Sequence, residues 1–263
     1  MKKLLVPLCL LFFAGVSAFR PVSKVDGVFI RSAYKFGDMK DWGKDDSLTV
    51  IKVLRDGFWM VAYYDDNRKG RASFNGLAGG TYEIANGKYV EHISFYSWDS
   101  TAAGKTFEFD FEVGDQSFEQ HGKINSDKYK NYPIHEKFKR LQADTPLEDK
   151  RLEGIWKMTR GEWGEKGRFG EGIYKNMTTI KIYSYPIAIY AYYNEATKRF
   201  QGGGGVRYNF NGETLTETNE FWSWKPDGSR KGLLQTHQIT FDKNKVTQKG
   251  WEGKLHEEYE KLK

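Results

Sequence analysis

The chain has 263 residues, 39% hydrophobic and 16% aromatic, enough for more than one packed core and too aromatic for a disordered chain. Its 41 basic and 35 acidic side chains give a formal charge of +6, and without Lys2 and Lys3 the balance is 39 against 35, or +4. Charges of both signs are interleaved with no basic stripe, which argues against nucleic acid as a partner.

The first 18 residues read as a signal peptide: basic Lys2-Lys3, an apolar run from Leu4 to Gly15, then Val16-Ser17-Ala18 with small residues at the cleavage positions. The apolar run is short for a membrane span, so the mature chain is expected to hold no integral membrane segment and to be exported, periplasmic or secreted. Cys9, the one cysteine, lies within that run. The mature protein is therefore expected to have no disulfide, thiol nucleophile or thiolate metal site.

Beyond the leader the chain repeats itself. Val25-Asp26-Gly27-Val28-Phe29 is echoed by Leu152-Glu153-Gly154-Ile155-Trp156, and Ile51-Lys52-Val53 by Ile180-Lys181-Ile182. Ala62-Tyr63-Tyr64 returns as Ala191-Tyr192-Tyr193, and Phe95-Tyr96-Ser97-Trp98 as Phe221-Trp222-Ser223-Trp224. The endings also agree, Ile134-His135-Glu136 against Leu255-His256-Glu257. Order is kept throughout, so residues 22–141 and 151–263 are read as two copies of one domain. Residues 142–150, polar and containing Pro146, are read as a linker.

Within the second copy the hydrophobic period is two. Eight runs, from Gly154–Thr159 to Leu255–Leu262, are separated by turn signals such as Asn211-Gly212 and Pro226-Asp227-Gly228. The predicted fold is all-β: two tandem antiparallel up-and-down eight-stranded barrels, with a β-sandwich compatible with the same strand count. Gly202 to Gly205 lacks the Lys-Ser/Thr and the helix of a phosphate loop and reads as a strand in close backbone approach.

Gly154-Ile155-Trp156 resembles the Gly-x-Trp signature of lipocalins and fatty-acid-binding proteins, and Gly27-Val28-Phe29 is its counterpart with Phe for Trp. The closing strand, Glu257 to Lys261, is similar to the last strand of such barrels, where a basic residue packs across the first-strand Trp. The resemblance implies lipocalin-like barrels in both halves. Fatty-acid specificity does not carry over, because no counterpart of the lid helices is evident.

Alternation sorts the faces. Leu255, Glu257, Tyr259 and Lys261 share one side of the last strand, opposite His256, Glu258 and Glu260. The mixed apolar side is expected inside, together with Leu215, Glu217, Asn219 and Phe221, with Gln235, His237 and Ile239, and with Gln248. The first copy carries Phe107 and Phe109 where the second has Gln235 and His237, so any open pocket is expected in the second. The expected ligand site is apolar walls from Trp156, Tyr193 and Tyr259 with orienting contacts from Glu217, His237, Gln248, Glu257 and Lys261, for a small apolar or amphipathic ligand. The competing reading lets these polar groups satisfy one another, with Arg140 and Lys261 closing the barrels over Phe29 and Trp156 by cation–π contact.

No catalytic residue, cofactor or metal ligand is expected. There is no Gly-x-Ser-x-Gly elbow, and the five histidines show no metal-ligand spacing. Two alternatives stay open. One is a glycan- or protein-interaction surface using Trp98, Trp222 and Trp224, residues otherwise expected between the two domains. The other is an enzyme using Glu217 and Glu257 as an acid–base pair.

Overall fold

The computed structural model describes residues 25–65 and 74–263; the segment read from the sequence as a signal peptide lies outside the described residues. The first half contains β1 (Gly27–Phe36), β2 (Leu48–Arg55), β3 (Phe58–Asp65), β4 (Phe74–Ala85), β5 (Lys88–Tyr96), β6 (Thr106–Val113), β7 (Ser117–Ile124) and β8 (Tyr132–Arg140). The second contains β9 (Gly154–Glu162), β10 (Thr178–Ser184), β11 (Ile187–Asn194), β12 (Arg199–Phe210), β13 (Thr214–Trp222), β14 (Leu234–Asp242), β15 (Lys245–Gly250) and β16 (Leu255–Lys261). Each set of eight closes into an antiparallel barrel in sequence order, β8 pairing with β1 and β16 with β9. Closure leaves neither barrel an open sheet edge. No described helix is long and apolar enough to cross a membrane.

Local chemistry sets the tight turns. Asp56-Gly57 and Asn86-Gly87 join β2 to β3 and β4 to β5, with positive φ at both central residues, as a hairpin matched to right-handed strand twist requires. At Asn211 the side chain accepts from the backbone N–H of Glu213 and Thr214, fixing the turn into β13.

The two barrels pack side by side through a third apolar core. Ile51, Val53, Met60 and Leu77 of the first meet Ile155, Ile180, Ile182 and Ile189 of the second. Above them rings stack across the junction: Tyr64 on Phe221 (5.0 Å between centroids), Phe95 on Tyr193 (5.0 Å) and Phe95 on Phe200 (5.7 Å). The glycine run of β12 permits the approach. A Cβ on Gly203 would strike Leu77 of the first barrel, and one on Gly205 would strike Phe221.

This junction inverts the usual sorting of faces. On β2 and β10 the aliphatic side of Ile-Lys-Val and Ile-Lys-Ile faces the neighbouring barrel, and the lysines point inward, Lys52 2% and Lys181 3% exposed. Tyr193 shares the face of Ile189 and Ala191 and belongs to the junction, not to the barrel interior. Phe221 also turns outward. In β13 the register slips between Asn219 and Phe221, where two steps on β13 oppose one on β12, and this bulge swaps the faces beyond Glu220. The same slip between Ile93 and Phe95 sends Phe95 outward in the first barrel.

Candidate functional site

The interiors are built on one polar frame and filled differently. In the first barrel the Lys52 ammonium donates to Glu91 (2.6 Å) and to Gln120, Gln120 donates to Glu136 (3.0 Å), and Arg31 donates to Glu136 (2.8 Å) and Asp45. Tyr89 donates to Glu91 (2.9 Å). Aromatic rings close around this chain: Lys52 stands 4.7 Å from the Tyr89 centroid and 5.4 Å from those of Trp59 and Phe118. Phe29, Phe109 and Phe138 fill the remaining space. Every buried charge there has a partner, as burial demands.

The second barrel keeps the frame and loses the filling. Lys181 donates to Glu217 (2.8 Å), repeating Lys52 and Glu91. His237, opposite Leu215, takes the place of Phe109 opposite Tyr89. Val246 replaces Phe118 opposite the last strand, and Met158 replaces Arg31. The result is a cavity of about 930 Å³ entering the barrel from one end. Its floor holds Lys181, Glu217, His237, Gln248, Glu257 and Tyr259. That volume lies within the ~300–1,000 Å³ typical of small-molecule sites.

Three connections at the same end shape the mouth: residues 163–177, 223–233 and 251–254. They bring Trp163, Tyr174, Trp224 and Trp251 to the cavity, with Trp222, Tyr190 and Tyr192 from the strands of the wall. Trp222 and Trp224 meet edge to face at 5.8 Å, and Trp224 meets Tyr192 at 5.3 Å. Both tryptophans thus line the cavity and do not lie between the barrels. A Cβ on Gly202 would collide with the Trp224 ring, just as one on Gly76 would collide with Trp98 in the first barrel. Trp224, Leu233, Leu234 and nearby Ile173 account for most of the large apolar side chains exposed among the described residues.

Electrostatically the floor is ordered. Burial opposes ionisation of Glu217, but Lys181 and His237 beside it outweigh that, and its carboxyl is held down at about 2. Glu257 accepts from the Trp163 indole N–H (2.7 Å) and the Tyr259 hydroxyl (2.8 Å). Burial beside these carboxylates drives the Tyr183, Tyr192 and Tyr259 hydroxyls well above the ordinary phenol range, so all three remain neutral donors. His237 is 1% exposed, and neither ring nitrogen has a hydrogen-bond partner; its Nε2 lies 3.4 Å from Glu217 but outside hydrogen-bonding geometry. The ring packs over Gly250, where a Cβ would meet Nδ1.

Of the residues singled out in the sequence, the cavity brings together Glu217, His237, Gln248, Glu257 and Tyr259. Three others lie elsewhere. Tyr193 is in the inter-barrel junction. Trp156 is buried at the closed end, donating from its indole to the Leu152 carbonyl (2.7 Å). Lys261 stands 5.2 Å above the Trp156 ring, as Arg140 stands 4.6 Å above Phe29. The basic residue of the last strand is therefore a plug for that end. Lys181, Trp163 and Tyr192 are site residues that face-sorting from the sequence passes over. The repeated Ile-Lys-Ile and Ile-Lys-Val is the signal for Lys181. No group of three or more His, Cys, Asp or Glu among the described residues is arranged to hold a metal ion.

No protein-family model matches the chain, and no curated protein does. Among solved structures it is similar to an uncharacterised protein, YLR301w, from Saccharomyces cerevisiae, at 9% identity and a TM-score of 0.52, over 90% of this chain and 97% of that one. At that identity the likeness is one of fold alone. A protein of unknown function from the DUF3598 family of Nostoc punctiforme aligns over 92% of this chain and 97% of its own at 7% identity, with a TM-score of 0.22.

Proposed function

We propose that this chain is an exported, non-enzymatic binding protein of lipocalin-like type that holds one small, partly apolar ligand in its second barrel. The observation that carries this is the contrast between the copies. One polar frame is packed with rings in the first barrel and opens into a cavity of about 930 Å³ in the second. The first barrel serves as the structural partner, joined by the stacked aromatic junction. Export rests on Lys2-Lys3, the apolar run and Ala18.

Binding is favoured over acid–base chemistry by how the carboxylates are held. Glu217 is paired with Lys181, and Glu257 is bonded to Trp163 and Tyr259. A general acid needs a proton near neutral pH, and Glu217 is held far below that. The four mouth tryptophans make occupancy visible. Titrating the full chain with 1-anilinonaphthalene-8-sulfonate should quench tryptophan emission with a 1:1 endpoint. The triple variant Leu215→Tyr, His237→Phe, Val246→Phe restores the first barrel's residues and should abolish the signal while still melting cooperatively. Unchanged quenching in the filled variant would place the dye elsewhere and overturn the reading.

A further inference from the structure

The cavity's polar groups are divided between its two ends in a way that specifies a ligand. At the mouth, the lining cations are Lys166, Lys225 and Arg230, against one lining carboxylate, Glu252. Two of these cations already address the aromatic wall: Arg230 lies 5.0 Å from the Trp222 ring centroid, and Lys166 lies 4.9 Å from Trp251 and 5.9 Å from Trp222. They hold positive charge against the aromatic rim of the cavity, beside a planar ligand packed among those rings.

The floor has the opposite character. It holds two carboxylates, Glu217 and Glu257, and one ammonium, Lys181, which is already spent on Glu217. A second anion brought there would meet like charge in a desolvated setting. What the floor does offer is hydrogen bonding to an uncharged ligand group. His237 is 1% exposed and its nitrogens make no hydrogen bond, although Nε2 stands 3.4 Å from Glu217, and Gln248 is 3% exposed and lines the cavity. In the first barrel the matching Gln120 is fully engaged, linking Lys52 to Glu136. In the second, Trp163 and Tyr259 have taken over Glu257, which releases Gln248 to the cavity. Leaving a buried imidazole without a hydrogen bond is costly, and the Gln248 side chain lines the cavity where a ligand can engage it.

We infer that the second barrel selects a planar, conjugated or aromatic weak acid, entering ring-first, with its acidic group retained at the mouth by Lys166, Lys225 and Arg230 and an uncharged hydroxyl or carbonyl reaching His237 and Gln248. This deepens the binding reading above and rests on it. A cationic ligand is disfavoured by the mouth, and a buried acid by the floor.

The test uses the full chain and four matched probes: 6-hydroxy-2-naphthoate, its methyl ester, 6-(aminomethyl)-2-naphthol and 2-naphthoate. Affinities are read by tryptophan quenching and checked by calorimetry. The hydroxynaphthoate should bind at least tenfold more tightly than the ammonium compound and at least fivefold more tightly than the ester. In Lys166→Gln/Arg230→Gln the advantage over the ester should shrink below twofold. The 6-hydroxyl should add at least fivefold over 2-naphthoate, and His237→Phe or Gln248→Leu should erase that increment while leaving the melting temperature unchanged. Equal binding of acid, ester and ammonium compound would overturn this inference and leave the cavity reading standing. Charge discrimination that survives the mouth variant, or a hydroxyl increment that survives both floor variants, would overturn it too. Failure of all four to bind would overturn both.

Discussion

Gln120 and Gln248 occupy the same position in the two barrels, each directly opposite the inward glutamate of the closing strand, Glu136 and Glu257, yet only Gln120 is bonded to its glutamate. One side chain is a structural link and its repeat is available. Gln120→Leu strips a donor from Glu136 and an acceptor from Lys52, and should cost about 1–3 kcal/mol, the penalty of leaving buried polar groups unsatisfied. Gln248→Leu removes no described side-chain hydrogen bond and should leave stability nearly unchanged. Paired urea melts of the two variants check this. Equal losses would show that Gln248 supports the fold as much as Gln120 does.

The Glu217–Lys181 pair gives the second barrel an acid-sensitive core. The folded carboxyl titrates at about 2, against an ordinary value of 4.5, so folding is linked to its ionisation. A depressed carboxyl contributes its full share of stability above about pH 4.5 and loses it as the pH falls toward 2. Stability of the native chain should therefore decline through that window. In Glu217→Gln the slope should flatten there, even though the variant starts lower because Lys181 is left buried without its counter-charge, a loss of about 3–5 kcal/mol. Thermal melts from pH 7 to pH 2.5 give both slopes.

His237→Phe makes a different test, since it transplants the first barrel's residue. Gly250 provides the space beneath the ring that Gly122 provides beneath Phe109. The phenyl ring should fit without strain and remove two nitrogens that make no hydrogen bond, keeping the melting temperature within a few degrees of the native chain, while the Glu217 carboxyl, deprived of one of the two neighbours that hold it down, titrates higher. A fall of several degrees would mean that His237 contributes to Glu217 more than its 3.4 Å approach outside hydrogen-bonding geometry implies.

Much of this architecture is legible in the sequence, because the ordered repeat carries the duplication and strict alternation carries the last strand. Tyr259 is buried and lines the cavity, while His256 is only half-buried and approaches Glu258 on the other face. Alternation fails where both faces of a strand are covered. On β10 and β11 the aliphatic side packs against the neighbouring barrel and the polar and aromatic side forms the interior, so burial on both sides hides which is which. That is why Lys181 escapes notice and Tyr193 lands on the wrong face. A bulge adds the second failure, because one extra residue near Glu220 exchanges Phe221 and Trp222 with no mark in the local pattern. The mouth is the third: the positions of Trp163 and Trp251 depend on connections without periodicity.

The junction should couple the barrels energetically. Phe95 stacks on Tyr193 and Phe200 and is 1% exposed. Phe95→Ala leaves a hole among rings from both halves and should cost about 3–5 kcal/mol. Calorimetry should show one transition for the native chain and two for the variant, as the barrels lose their shared core. A single, merely lowered transition would show that the aliphatic contacts of Ile51, Val53, Ile180 and Ile182 suffice for coupling.

Gly202 ties the fold to the site. The Trp224 ring lies directly against its Cα, in the space a Cβ would occupy, and the backbone there belongs to β12, whose strand pairing fixes its position. In Gly202→Ala the ring must yield, since the strand is held on both sides by hydrogen-bonded neighbours. Moving Trp224 disrupts its contacts with Trp222 and Tyr192, the ring pairs that frame the mouth. The strain of overpacking should cost about 1–3 kcal/mol. Trp224 is already 36% exposed, so the displaced indole should become more so, and tryptophan emission should shift to longer wavelength. Naphthoate affinity should fall several-fold in the same variant. The matching Gly76→Ala change, which displaces Trp98 from the filled barrel and also strains a backbone whose φ is +151°, should cost more stability yet have no effect on that affinity. If both alanines weaken binding equally, the tryptophan at the mouth is not what holds the ring.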